Sequence, residues 1–233
     1  MRWPGNEASA RSWPSSRPGE GLAGLSIIMR LSTIVMLAVF TAAMVGCGES
    51  GQAEEHFNAG VGFQEEGKLQ EAIAEYDEAI RLDPELAPAY FNRGKAFRDI
   101  GQSQSAIEDL DESIRLGPEN HLAYYERGFT HLLQSEAYFT GRGTGLGSGE
   151  IGDEGQAKDR LREAMRDVDE AIRLNPEHAN AYIARVRIHT LLRMEAEAQR
   201  DAAQAIALGY HLDHLREIIA QTKALLDEEG TED

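Results

Sequence analysis

Histidine, acidic and glycine-rich groupings are the places where this 233-residue chain could do chemistry. His211, Asp213 and His214 could share one side of a helix start, but a third and fourth metal ligand are not evident. The segment from Gly147 to Gly152 has the form GxGxxG, yet no strand precedes it, so we expect no dinucleotide site there. No serine or threonine has a nucleophile context, and the carboxylates follow exposed helix faces. We predict a non-enzymatic protein without a metal or cofactor, and no small-molecule substrate is evident.

The charge balance narrows the class of partner. Lys and Arg total 23 against 40 Asp and Glu, which gives a formal net charge of −17. A polyanion repels phosphate, so we predict no binding of nucleic acid. Hydrophobic residues make up 42% of the chain, which is enough for a packed core. A single cysteine excludes an intrachain disulfide and a thiolate zinc cluster.

That cysteine, Cys47, ends a segment that has the features of a secretory signal. Arg30 is followed by an uncharged, mostly apolar run from Leu31 to Val45, which is short for a membrane span. The last four residues, 44–47, read Met-Val-Gly-Cys and resemble the lipobox of bacterial lipoproteins. The alternatives are an uncleaved N-terminal anchor and a free buried thiol.

The lipobox resemblance implies a processed, acylated protein. We expect a signal peptide over 29–46, palmitate-type acylation of Cys47 and a short tether over 47–52. We expect residues 1–28 to be a disordered extension or to be untranslated. The second alternative applies if translation begins at Met29, directly before the signal. The resemblance places the protein in the bacterial cell envelope, held in the membrane by its lipid anchor. The periplasmic face of the outer membrane is the expected location, with the inner membrane as the alternative.

The rest of the chain contains an internal repeat. Six-residue endings recur as AIRLDP, SIRLGP, AIRLNP and AIALGY, beginning at residues 79, 113, 171 and 205. The intervals are 34, 58 and 34 residues, and the long interval is 34 plus an insertion of 24. Each ending closes a pair of apolar-periodic segments with a glycine-marked turn between them. Three endings carry a proline, which removes a backbone donor and ends the second helix.

This pattern resembles the tetratricopeptide repeat (TPR), a 34-residue helix–turn–helix unit. Glycine stands at the eighth position as Gly60, Gly94 and Gly128, whereas the fourth copy has Val186 there. The resemblance implies an all-α solenoid of four TPR units and a C-terminal capping helix, with a domain spanning 53–229. The repeats, numbered 1 to 4 from here on, cover 53–86, 87–120, 121–178 and 179–212, and the capping helix covers 213–229. Repeat 3 contains a Gly-rich insertion near 137–159, for which a partner-covering flap and an inert linker both stay open.

Charged residues recur in phase with repeats 2 to 4. Arginine occupies the seventh position and aspartate the twenty-third in each of these repeats. An arginine that appears only together with an aspartate predicts interhelical ion pairs of structural rather than functional value. The expected pairs are formed by Arg93, Arg127 and Arg185 with Asp109, Asp167 and Asp201.

The family resemblance also implies a binding surface. In TPR proteins the first helix of each repeat lines a concave groove that holds partner proteins or peptides. The positions that correspond here form an aromatic and aliphatic stripe with cations beside it: Phe57, Val61, Phe91, Lys95, Arg98, Tyr125, Phe129, Ile183 and Arg187. The alternative is that the aromatic residues only pack on their neighbours. The predicted function is a scaffold for envelope proteins, with an accessory or regulatory subunit of an envelope enzyme, or a hydrolase with an unrecognised site, as the alternative.

Overall fold

A computed structural model describes residues 51–139 and 154–228, and these two ranges contain nine α-helices and no strand. The helices are α1 (which includes 51–65), α2 (Leu69–Leu82), α3 (Ala87–Asp99), α4 (Ser103–Leu116), α5 (His121–Phe139), α6 (Glu154–Leu174), α7 (Ala179–Leu191), α8 (Glu195–Ala207) and α9 (Leu212–Glu228). They form four consecutive helix pairs and one additional helix. The predicted all-α solenoid is confirmed.

The ends of the second helices follow from the repeated prolines. Helices α2, α4 and α6 each end two residues before a proline, at Pro84, Pro118 and Pro176. The residue before a proline is disfavoured in the α conformation, so the chain leaves the helix there and turns into the next repeat. Each helix from α2 to α7 packs on the one that follows it, which is the arrangement of a solenoid.

The core of each pair lies where its two helices cross. A Cβ on Gly60, Gly94 or Gly128 would come within 3.1 Å of a side chain on the facing helix. Those facing side chains become smaller along the chain: Tyr76, then Leu110, then Val168 and Asp167. In repeat 4, Val186 is fully buried and shares a cluster with Ala202, so the small residue has moved to the facing helix. Close packing is therefore kept by exchanging the small and the large partner.

The boundaries of the insertion differ from the prediction. Helix α5 continues to Phe139 and α6 begins at Glu154, so both ends of the segment 137–159 are helical. Phe139 is buried in the core that α5 and α6 share, and Ser135 Oγ donates to Ala157 O at 3.0 Å. These residues were expected in a Gly-rich loop, but their apolar side chains gain more by extending the helix pair. Residues 140–153 lie outside the described ranges.

The C-terminal helix begins and ends within one residue of the predicted 213–229. Helix α9 packs on α7 and also reaches α5, so it lies against first helices of two repeats. The predicted extension 1–28, the signal peptide 29–46 and Cys47 lie outside the described residues. In the described part of the chain, no helix is both long and apolar enough to cross a membrane.

Candidate functional site

The recurring arginines join neighbouring helices through carboxylates. Arg93 Nε and Nη2 donate to the two oxygens of Asp109 at 2.8 and 2.6 Å. The equivalent distances are 2.9 and 2.6 Å for Arg127 with Asp167, and 2.8 and 2.6 Å for Arg185 with Asp201. Each pair is bidentate, which is the strong form of an arginine–carboxylate contact.

A second carboxylate on each arginine was not anticipated from the sequence. Nη1 of these arginines donates to the preceding repeat, at the twenty-fifth position, through Asp77, Asp111 and Asp169. Every arginine therefore ties its own repeat to the one before it. The signal was present, since aspartate recurs at the twenty-fifth position in the three repeats that precede an arginine, and repeat 4 has Ala203 there. We name these nine residues the arginine ladder.

The paired side chains of each repeat in the arginine ladder are largely removed from water. Only 9% of the Asp109 side chain and 17% of the Arg93 side chain are exposed. Burial raises the pKa of Asp109, and the hydrogen bonds and charge of Arg93 oppose that shift. Because each guanidinium already has two carboxylate partners, the ladder has the properties of a structural device. That it plays no part in partner binding remains a prediction.

The predicted groove has its most developed part around Phe129 of α5. The guanidinium carbons of Arg98 and Arg187 lie 5.6 and 5.3 Å from the Phe129 ring centroid. Tyr125 stacks on Phe129 with 5.8 Å between centroids, and His178 meets the Tyr125 ring edge-on at 4.7 Å. Helices α3, α5 and α7 each supply a member, since first helices of successive repeats are neighbours. We call these five residues the aromatic–cation cluster.

The two arginines of this cluster are not free cations. Arg98 of α3 donates to Glu126 of α5, and Arg187 of α7 donates through Nε to Glu136 of α5 at 2.9 Å. These four side chains are at most 20% exposed. Arg98 Nε and Nη2 also donate to Oδ1 of the adjacent Asp99, at 3.0 and 2.7 Å. Burial raises the pKa of Glu136, and Arg187 lowers it. The sequence predicted cations beside the stripe but neither glutamate partner, because neither glutamate recurs with the repeat.

The predicted groove residues outside the aromatic–cation cluster differ in their contacts and in their burial. Phe57 lies 6.0 Å from the ring of Tyr76, and Lys95 Nζ lies 5.4 Å from the ring of Phe91. Val61 is half-buried in α1. Ile183 is 7% exposed in an apolar cluster that includes Leu215 and Ile219 of α9. Its assignment to an open groove is wrong, because α9 contributes to the same core.

The histidines of the described ranges do not assemble a metal centre. No group of three or more His, Cys, Asp or Glu side chains there is arranged to hold a metal ion. His211 and His214 lie near each other, with 6.0 Å between their ring centroids, on exposed positions. The described surface instead offers an aromatic face whose two arginines are paired with carboxylates.

Comparisons with known proteins agree with this architecture. A TPR repeat model matches residues 63–101, and a tetratricopeptide repeat model matches residues 87–120. No curated protein matches the sequence.

Solved structures resemble the whole helical array. A thermophilic TPR protein of Thermus thermophilus is 20% identical, with 76% of this chain and 85% of that chain covered and a TM-score of 0.58. A MamA protein is 18% identical, with 77% and 85% covered and a TM-score of 0.57. MamA from Desulfovibrio magneticus is 17% identical, with 69% and 77% covered and a TM-score of 0.54. At these identities the likeness concerns the fold. With the repeat models, which match residues 63–120, and the four helix pairs, it shows that the chain contains tetratricopeptide repeats and has the fold of a TPR solenoid.

Proposed function

We propose that this protein is a non-enzymatic scaffold that binds a protein or peptide partner along its row of first helices. The observation that carries the proposal is the aromatic–cation cluster, where Phe129 lies between two guanidiniums on a face shared by α3, α5 and α7. Aromatic and arginine side chains supply most of the binding energy in protein interfaces. A rigid set of this kind loses little side-chain entropy when a partner docks.

The charge balance of the cluster defines the kind of contact. Arg98 is paired with Glu126 and Asp99, and Arg187 is paired with Glu136, so neither guanidinium is a free cation for an anionic partner group. Apolar or aromatic partner side chains are the better match, with Phe91 on α3 as a further contact. Lys95, which lies over the Phe91 ring, adds a cation at the edge of this surface.

The proposal also includes anchoring in the bacterial envelope. It rests on the lipobox-like sequence that ends at Cys47, four residues before the described helical domain begins. Three acyl chains would hold the domain at a membrane surface, since burial of each methylene contributes roughly 0.8 kcal/mol. The scaffold would then gather its partner at that membrane.

One experiment tests both parts. Wild type, Phe91→Ala and Cys47→Ser would be expressed in bacteria, crosslinked in cells, recovered from the membrane and soluble fractions, and compared by quantitative mass spectrometry. Ile206→Ala is the matched control, because Ile206 is a 40% exposed apolar residue on the second helix α8. We expect Phe91→Ala to reduce recovery of a specific partner about tenfold, as loss of an aromatic anchor does.

The other two variants test the specificity of the partner contact and the lipid anchor. Ile206→Ala should recover the same partner as wild type. Cys47→Ser should lack acyl mass and leave the mature membrane-anchored pool. Equal partner recovery by Phe91→Ala and wild type, with equal melting temperatures, would refute the groove. A mature wild-type mass without acyl chains would refute the anchor.

A further inference from the structure

The turn inside repeat 4 has the positive φ that glycine adopts in repeats 1 and 2, but the residue at this position is an arginine. Gly67 and Gly101, at the fifteenth position of repeats 1 and 2, have φ of 75° and 81°. In repeat 4 the same position is Arg193, with φ of 58°. It is the sole non-glycine residue with positive φ in the described ranges. A side chain in this conformation is disfavoured relative to glycine.

The hydrogen bonds show that the turns are otherwise the same. Arg193 N donates to Thr190 O at 3.0 Å and Met194 N to His189 O at 2.8 Å. Gly101 N and the following amide make the equivalent bonds at 2.9 and 2.8 Å. Both are helix-ending motifs in which the left-handed position normally belongs to glycine. The backbone alone therefore gives no reason for an arginine.

A reason is present in the cavity beside it. Arg193 lines a cavity of about 440 Å³ between α7, α8 and α9. This volume lies within the range of small-molecule sites, about 300–1,000 Å³. The cavity exists because α9 packs mainly on α7 and leaves room beside α8. The apolar part of its lining is formed by Ala198, Ala202, Ile219 and Leu226, and Thr190 and Gln199 add uncharged polar groups.

The three charged residues that line the cavity are two cations and one anion, so one positive charge is in excess. Lys223 Nζ donates to Glu195 Oε1 at 2.8 Å, so these two side chains neutralise each other across α8 and α9. Arg193 has no ion-pair partner among the described residues. A net charge of plus one beside the apolar part of the cavity lining favours a monoanion that carries an apolar group, in spite of the overall negative charge of the chain.

We propose that this cavity binds a small amphiphilic carboxylate, with Arg193 holding the carboxylate and the apolar lining residues holding the chain. A guanidinium can donate two parallel hydrogen bonds to a carboxylate. The disfavoured backbone conformation at Arg193 is then the consequence of placing a cation beside the cavity. This site is separate from the aromatic–cation cluster and does not depend on the proposed partner.

Octanoate is the probe, titrated into the full chain by isothermal titration calorimetry at fixed pH and salt. We expect saturable binding that weakens about fourfold for each methylene removed, through hexanoate to butyrate. Octylammonium has the same chain with the opposite charge and should not bind. Arg193→Gly should weaken octanoate binding about tenfold and Arg193→Lys less, since a charged hydrogen bond is lost in the first and partly kept in the second.

Stability separates a binding arginine from a structural one. Arg193→Gly removes the disfavoured conformation, so its melting temperature without ligand should rise while octanoate binding falls. Gly101→Arg is the matched control: it places an arginine on the same turn of repeat 2, and should lower the melting temperature without creating a second octanoate site. Absence of octanoate binding by wild type, or equal binding by Arg193→Gly, would overturn the proposal. A fall in melting temperature of Arg193→Gly would overturn the account of the arginine.

Discussion

The first two repeats and the last two repeats pack in the same way, but repeats 1 and 2 are the more regular in helix length and turn sequence. Helices α2, α3 and α4 have 13 or 14 residues, whereas α5 and α6 have 19 and 21. The turns within repeats 1 and 2 are closed by Gly67 and Gly101, but the turn of repeat 4 contains Arg193. The aromatic–cation cluster and the cavity beside α9 both draw most of their residues from the second half.

This difference between the two halves shows at which positions the solenoid tolerates departures from the repeat sequence. Positions that join one repeat to the next keep their residue types throughout, as the arginine ladder does. Apart from the exchange of small and large residues at the Val186 crossing, departures from the repeat occur at turns, helix ends and the surface of first helices, where substitution leaves the interhelical contacts intact. Local deviations from a consistent pattern are the places to search for function. The comparison therefore distinguishes residues that build the solenoid from the residues that we propose for a ligand or partner.

The largest expected effect concerns the arginine ladder, which the two halves share. Asp109→Ala removes both acceptors from Arg93 Nε and Nη2 and leaves a guanidinium that is 17% exposed. Breaking a buried ion pair from one side costs about 3–5 kcal/mol. We expect a loss of this size in the free energy of unfolding, measured by urea denaturation. Asp201→Ala in repeat 4 should produce a loss in the same range.

The matched control lies on the same arginine. Asp77 also accepts from Arg93, but 57% of its side chain is exposed. Exposed pairs contribute about 1 kcal/mol or less, so Asp77→Ala should have a small effect. Equal losses for Asp77→Ala and Asp109→Ala would contradict the distinction. A small loss for Asp201→Ala alone would show that the ladder serves the two halves differently.

A smaller effect is expected at the helix crossings. A Cβ at Gly128 would lie 2.9 Å from Asp167 Cβ and 3.0 Å from Ala164 O, so the long helices of repeat 3 would have to separate. We expect Gly128→Ala to lower the free energy of unfolding by about 2 kcal/mol, as overpacking does. Gly62→Ala is the control, because no atom lies within 4 Å of its Cβ position. It should be neutral or stabilise the protein by up to about 1 kcal/mol.

Much of this architecture could be predicted because it repeats. The proline-terminated helices, the glycine crossings and the phase of Arg93 with Asp109 all recur at 34-residue spacing, so one sequence supplies several independent instances. The second carboxylate, Asp77, was also periodic and could have been found. Glu136 could not, since its partner Arg187 lies 51 residues away and the pair occurs once. This contact depends on how far α5 extends beyond the length of the other first helices. Because it occurs only once, it leaves no periodic signal in the sequence.

The smallest predicted effect is a pH dependence centred on the histidines of repeat 3. Burial lowers the pKa of His178 and of His131 from the usual 6.5, and the charge of His121 lowers that of His178 further. The unfolded chain therefore binds more protons as the pH falls below about 6.5, and stability declines towards the folded pKa values. Hydrogen exchange at about pH 7 and about pH 5.5, corrected for intrinsic rates, should show α5–α7 losing more protection than α2–α4. His131→Phe is the sharpest variant, because Phe63 and Phe97 occupy the equivalent position in repeats 1 and 2. It should reduce the loss of protection on acidification, and an unchanged pH response in that variant would assign the effect to His178 and its ring contact with Tyr125.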